Sequence, residues 1–285
     1  MNRYFILLLM LLSASFQSCD DGGQGSDQNA KKDVEKQDTT LEDEVENVKK
    51  SNFVIPGSVH IGEMFKKAGL KYVPDVANDP DNADLYNTKT KKLLNYGVYS
   101  ADFTYAALNS QSNLAVSYLK VLKKLGDDVG FAEVYADKEF LNRFERDLED
   151  EEKVVELMRE IQERTDAFVD DNVVSSEALV IFTGAWIEGM YLGAKAADLG
   201  DRGEISQRLV EQMTMLDNML VGLNDLSRRV EHLQPYVNDL EQLNMFFMSL
   251  PEVKEGSSIK DVNIKLTDLK KIADYIVAIR TSIVE

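Results

Sequence analysis

The sequence predicts an all-α protein, a multi-helix bundle of about seven to nine helices that follows a cleaved signal and a disordered linker. Apolar residues recur at three- and four-residue spacing through most of the chain, whereas the alternation typical of strands is nearly absent. Two long segments are apolar around their whole circumference, as expected for helices that pack on several sides. With one cysteine, the chain must rely on a packed core and not on disulfides.

The first 18 residues have the layout of a secretory signal. Arg3 gives a short positive start, residues 4–12 are an unbroken apolar run, and residues 13–18 are mostly small or polar. An apolar run of this length is too short to span a bilayer. Residues 1–18 are therefore predicted to be removed, which places Cys19 at the cleavage point.

With cysteine at this point, the leader resembles a bacterial lipoprotein signal. Phe16 stands where an aliphatic residue is usual, but Ser18-Cys19 followed by Asp20 and Asp21 is similar to lipoproteins of the Bacteroidota. The resemblance implies acyl chains such as palmitate on Cys19, and an anchor in the outer membrane that faces either the periplasm or the cell surface. More than one acyl chain would make this anchor stable. The alternative is an ordinary cleaved signal with a free thiol at Cys19.

Residues 19–52 are predicted to be a flexible acidic linker. They hold few apolar residues, so burial cannot offset the entropy of ordering them. As a flexible coil, this linker would hold the helical domain, residues 53–285, about 30 Å from the membrane on average.

The charge balance excludes several partners. The formal net charge is −18, which would repel the phosphates of nucleic acid and the surface of anionic lipid. The predicted contact with the membrane is therefore lipidated Cys19 and not the protein surface.

Catalytic and metal-binding motifs are lacking. His60 and His232 are the only histidines, too few for HExxH or di-iron sites. We find no GxSxG, no phosphate-binding loop and no calcium loop, and we predict no metal, no cofactor and no catalytic residue.

The first half of the domain begins with a short helix. Ser58 is predicted to cap a helix that runs to Lys67 and ends at Gly69, before an irregular loop. Residues 88–126 form the first apolar helical region, with a break near residues 109–110 and a stop at Gly126. Its segment NYGVYSADFTYA (95–106) is similar to segments of uncharacterised helical lipoproteins of the Bacteroidota, a likeness that implies no chemistry.

The second half continues the helical pattern. Residues 136–172 predict two acidic amphipathic helices separated at 149–152, and residues 173–199 predict a second apolar helix. Residues 201–250 carry a heptad-like seam that breaks near 232–234, before Pro235, or alternatively near Gly222 and Asn224. A last helix is predicted over residues 263–283.

Asp102 and Glu188 are the candidate site residues, because each is the lone charge in an apolar helix. Such a carboxylate must find a partner, raise its pKa or face a cavity. Together with Tyr99 and Trp186, the two acids would outline a ligand-binding pocket. The alternative is a structural role, in which each acid accepts hydrogen bonds or pairs with a base; the available arginines include Arg143, Arg146, Arg228 and Arg229.

Three functions remain open at this point. The first is a membrane-anchored envelope lipoprotein whose non-catalytic helical domain binds another envelope protein, for which the seam of residues 205–247 could serve. The second is a small-ligand-binding or sensory module with a pocket near Asp102 and Glu188. The third is a hydrolase that uses these two carboxylates, and it has the least support. We favour the first.

Overall fold

The computed structural model describes residues 58–147, 150–172, 175–196, 203–255 and 262–285, all of which belong to one compact unit, Phe53–Glu285. These residues form ten α-helices and two 3₁₀ helices, and no strand occurs among them. The all-α prediction is confirmed. The predicted signal (1–18), Cys19 and the linker to residue 52 lie outside the described residues.

Nine of the ten α-helices have at least ten residues. Two 3₁₀ helices, Pro80–Leu85 and Ala132–Tyr135, lie in the connections. The α-helices in chain order are α1 (Ser58–Lys67), α2 (Lys89–Leu108), α3 (Ser112–Val129), α4 (Lys138–Asp147), α5 (Glu151–Asn172), α6 (Ser175–Ala196), α7 (Glu204–Leu226), α8 (Gln234–Ser249), α9 (Pro251–Glu255) and α10 (Leu266–Val284).

The two apolar helices, α2 and α6, form the centre of the bundle and share its most extensive contact. They run parallel. Near their N-termini, the Lys89 ammonium lies 2.9 Å from Glu177 Oε1, and near their C-termini Leu108 and Leu192 line the same small cavity. Each of the two helices pairs with the helix that follows it, α3 and α7 respectively.

Two glycines allow the backbones of α2 and α6 to touch. A Cβ atom on Gly97 would lie 1.9 Å from the carbonyl oxygen of Ile181, and one on Gly184 would lie 1.9 Å from the carbonyl oxygen of Leu94. Each contacted residue precedes the other glycine by three positions, so the two contacts are reciprocal. Only glycine fits at either position.

The close contact joins two segments of loosely similar sequence: Gly97-Val98-Tyr99 is followed by Asp102, and Gly184-Ala185-Trp186, 87 residues later, is followed by Glu188. Each segment lies in the first helix of a helical hairpin. The parallel packing thus relates the two segments in space as well as in sequence.

The C-terminus of α3 differs from the prediction. Gly126 does not end the helix, which continues to Val129 and is capped by Gly130 in the left-handed conformation, with φ of 96°. The Gly126 carbonyl accepts hydrogen bonds from the N–H groups of Gly130 and Phe131, at 3.0 and 2.7 Å. Gly126 instead lies against the ring of Tyr135, where a Cβ would be 3.3 Å from Cε2.

The heptad-like seam is divided between α7 and α8. The helices are separated by residues 227–233, where His232 has a φ of 63°, and Pro235 lies in the first turn of α8. The predicted break near residues 232–234 is confirmed, whereas the alternative at Gly222 and Asn224 is wrong because both lie inside α7.

Most seam residues are buried within the domain itself. Helix α7 packs on α6 and α8, and α8 also packs on α10. The buried members are Leu209, Met213, Leu216, Leu220, Leu223, Leu226, Leu233, Val237, Leu240 and Phe247. This part of the seam is therefore not free to bind a partner.

The Gly97→Ala substitution tests the contact between α2 and α6. Alanine favours an isolated helix by about 1 kcal/mol over glycine, but the added methyl group would meet backbone that has no side-chain freedom to move. We expect the free energy of unfolding to fall by about 3 kcal/mol, measured by urea denaturation.

Gly222→Ala is the matched control inside a helix. Its Cβ would meet only the Cδ2 atom of Leu179, at 2.6 Å, at the end of a flexible side chain. This substitution should cost much less. Equal losses in the two variants would contradict the proposed role of the backbone contact.

Candidate functional site: a buried carboxyl pair and its arginine

Asp102 of α2 and Glu188 of α6 meet in the core. Both residues are 0% exposed, and the two carboxyl groups are close enough for each to affect the pKa of the other. The parallel packing of the two helices places the acids at the same level. The structure therefore brings together the two acids that the sequence analysis singles out.

The cation that faces the pair comes from α10. Arg280 donates from Nε to Glu188 Oε2 at 3.0 Å and from Nη2 to Glu188 Oε1 at 3.4 Å. Its side chain is 13% exposed, and its guanidinium carbon lies 4.6 Å from the centre of the Tyr191 ring. The planar guanidinium group thus donates hydrogen bonds to both Glu188 oxygens, and it also makes a cation–π contact with the Tyr191 ring.

The arginines considered in the sequence analysis are not recorded as partners of these acids. Three of them form ion pairs at other places on the domain: Arg143 with Glu160, Arg146 with Asp147 and Arg229 with Asp225. Linear sequence could not assign the pairing, because α10 reaches Glu188 only through tertiary packing.

Asn78 covers the acids from the loop that precedes the first 3₁₀ helix. It is 3% exposed, and its backbone N–H donates to Asp102 Oδ2 at 3.1 Å. Its side-chain amide donates to the Tyr86 hydroxyl at 2.9 Å, and its carbonyl oxygen accepts from the Tyr118 hydroxyl at 2.9 Å. The loop is fixed over the acids by bonds from several elements.

Tyr99 and Trp186, the two aromatic candidates, have separate roles. The Tyr99 hydroxyl donates to the Asp79 carbonyl oxygen at 2.8 Å, so it holds the same loop. Burial raises the pKa of Tyr99, and the nearby Tyr86 and Asp102 raise it further. Trp186 is 0% exposed, and its Nε1 finds no hydrogen-bond partner among the described residues.

The site holds two carboxyl groups and one guanidinium, which bonds to Glu188 and acts on Asp102 only through space. Burial raises the pKa of Asp102 well above its usual range, the Glu188 carboxylate raises it further, and Arg280 opposes both effects. Burial also raises the pKa of Glu188, against the effect of Arg280. Burial lowers the pKa of Arg280, but the neighbouring Glu188 carboxylate outweighs this effect, so that the pKa of Arg280 is raised.

The site is closed to small molecules in this structure. Neither Asp102 nor Glu188 lines the two cavities that we describe, one of about 20 Å³ beside α1 and one of about 440 Å³ between the N-termini of α2 and α6. Within the described part of the chain, no group of three or more His, Cys, Asp or Glu residues is placed to hold a metal ion.

The larger cavity is lined by charges that already have partners. Lys89 pairs with Glu177 at 2.9 Å, and His232 Nε2 lies 3.1 Å from Glu231 Oε1. Arg229 pairs with Asp225 on the same turn. Lys89 and Arg229, which line this cavity, are thus already paired with carboxylates.

Comparison with protein-family models, curated proteins and solved structures finds no match to this chain.

Among the described helices, none combines the length and the apolar character needed to cross a membrane.

Sequence reasoning missed Asn78 and Arg280, although one of them carries a usable signal. Arg280 is the only charge between Tyr275 and Glu285, in the apolar segment IVAIRTSIV. The rule that selects Asp102 and Glu188, a lone charge in an apolar helix, selects Arg280 as well. Asn78 acts mainly through its backbone N–H, which no side-chain pattern reveals.

The Arg280→Met substitution tests the ion pair. It removes the guanidinium and leaves Glu188 and Asp102 buried without a cation, and broken buried pairs typically cost about 3–5 kcal/mol. We expect a loss of unfolding free energy in that range in urea denaturation at neutral pH.

Arg280→Lys is the matched variant, since it keeps the charge but loses the planar fork and the contact with Tyr191. It should be less destabilised than Arg280→Met. If Arg280→Met were as stable as the wild type, the ion pair would have no structural role.

Proposed function

We propose that this protein is a membrane-anchored envelope lipoprotein whose non-catalytic helical domain binds another envelope protein, as an adaptor or scaffold. The observation that carries the proposal is the leader, with Arg3, an apolar run and then Ser18-Cys19-Asp20-Asp21. An acidic, apolar-poor stretch separates this leader from the folded domain, as suits a tether.

The proposed anchor is a set of acyl chains, such as palmitate, on Cys19. We place it in the outer membrane, on the periplasmic face or at the cell surface. Acyl chains supply the membrane affinity, because the net charge of −18 would disfavour binding of the protein surface to anionic lipid.

The geometry of the buried acids supports a non-catalytic domain. A reaction would need a substrate beside Asp102 and Glu188, yet both are 0% exposed, and Arg280 and Asn78 occupy three of their four oxygen atoms. The same burial gives the ligand-binding alternative less support. Acids in such an arrangement specify how helices pack.

The acidic character also indicates the kind of partner. With 50 acidic and 32 basic residues, the chain presents a negative field that would speed encounter with a basic surface. We therefore propose a partner with a positively charged face, bound more weakly as ionic strength rises.

Cys19→Ala tests the anchor in the full-length protein in its own cells. Without the thiol there is no site for acylation, so an alkyne-tagged palmitate should no longer label the protein. The protein should also move from the membrane fraction to the soluble fraction. Ser26→Ala, in the same linker, is the control and should change neither property. Unchanged labelling in Cys19→Ala would rule out this anchor.

In-cell crosslinking of the full-length protein, followed by mass spectrometry, tests the partner. We expect one recurring envelope protein with a basic surface, recovered at near-stoichiometric yield and with lower yield at high salt. The Cys19→Ala protein, which lacks the anchor but keeps the domain, separates partner binding from membrane proximity. Absence of a recurring partner in both proteins would count against the scaffold role.

A further inference from the structure

We propose that Asp102 and Glu188 share one proton at neutral pH, with Asp102 as the carboxylic acid, and that because of this proton the packing of α2, α6 and α10 around the pair loses stability as pH rises. The inference concerns the folded domain and does not depend on the anchor or on the partner.

The first argument is the count of charges at the site. Asp102 faces Glu188 from α6, Arg280 from α10 and the backbone N–H of Asn78. The other titratable groups around it are tyrosines from α2, α3, α6 and the residue that follows the first 3₁₀ helix, and they are neutral below about pH 10. These tyrosines are Tyr86, Tyr99, Tyr105, Tyr118 and Tyr191. Two ionised carboxyl groups beside one guanidinium would leave an uncompensated buried charge, which is costly.

The second argument is the hydrogen bonding of the four carboxyl oxygens. Arg280 donates to both oxygens of Glu188, and Asn78 donates to Oδ2 of Asp102. Oδ1 of Asp102 is buried and has no donor among the described residues. A proton on this oxygen would make it a donor to the neighbouring Glu188 carboxylate, whereas two ionised carboxyl groups have no donor between them.

The position of Arg280 decides which acid holds the proton. Its fork on Glu188 stabilises the ionised form of that residue. Asp102 has no such cation in direct contact, and burial together with the adjacent Glu188 carboxylate raises its pKa well above the usual range. Asp102 is therefore the donor and Glu188 the acceptor.

The direction of the pH dependence follows from this assignment. An aspartate in the unfolded chain loses its proton near pH 4, whereas Asp102 in the folded chain keeps its proton to higher pH. Between these two values the folded state binds one proton more, so stability falls as pH rises through the window and is level above it. Loss of the proton places two negative charges against Arg280, the residue that ties α10 to the site.

Asp102→Asn tests the proposal, because asparagine has the shape of the protonated acid and can donate from its amide to Glu188. Urea denaturation of the wild type and the variant is compared from pH 5 to pH 9. Within the window, the folding equilibrium constant of the wild type should fall about tenfold per pH unit relative to that of Asp102→Asn. Asp128→Asn, which removes a surface acid paired with Lys92, is the control and should track the wild type over this range.

Infrared spectroscopy of the wild type gives an independent test that needs no variant to fold. At pH 7 to 8 the surface acids are ionised, so a remaining carbonyl band of a protonated carboxyl group reports a buried acid. We expect this band, and its loss in Asp102→Asn where that variant folds. Absence of the band from the wild type, or parallel stability profiles in the wild type and Asp102→Asn, would overturn the proposal.

Discussion

The backbone contact between α2 and α6 is the constraint on which the rest of the structure depends. Gly97 and Gly184 let each helix rest against a carbonyl oxygen of the other, which fixes both the parallel direction and the axial offset of the pair. Close-packed interiors do not tolerate an extra methyl group at such a contact without rearrangement. With the offset fixed, Asp102 and Glu188 come to the same level of the core, and α1, α3 and α7 pack around the central pair.

Burying two carboxyl groups is unfavourable in free energy, and contacts from the surrounding elements reduce this penalty. Arg280 brings a cation from the C-terminal helix, Asn78 brings a backbone donor from a loop distant in sequence, and one shared proton removes the remaining charge. Such networks stabilise less than a well-packed apolar core would, but they penalise every arrangement that leaves a member unpaired. We infer that the cluster specifies one position for α10 and one for the loop, because no other register would satisfy all its members.

The packing of the helices also bears on the proposed function. The two acids predicted to outline a pocket are enclosed, and most of the apolar seam on α7 and α8 is buried against neighbouring helices. The chain as a whole is strongly acidic, and a predicted linker joins the domain to a predicted lipid anchor. These features support the proposed role in binding another protein at the envelope.

The sequence by itself determined the all-α class, most helix positions and the break before Pro235, and it singled out Asp102 and Glu188 as lone charges in apolar helices. These properties follow from local spacing and from the cost of a charge in an apolar helix. The end of α3 was missed because Gly126 and Gly130 look alike in sequence, and only contact with Tyr135 distinguishes them. The meeting of the two acids, their pairing with Arg280 and their cover by Asn78 were decided by tertiary structure alone, because they join segments distant in the chain whose proximity depends on how the helices pack.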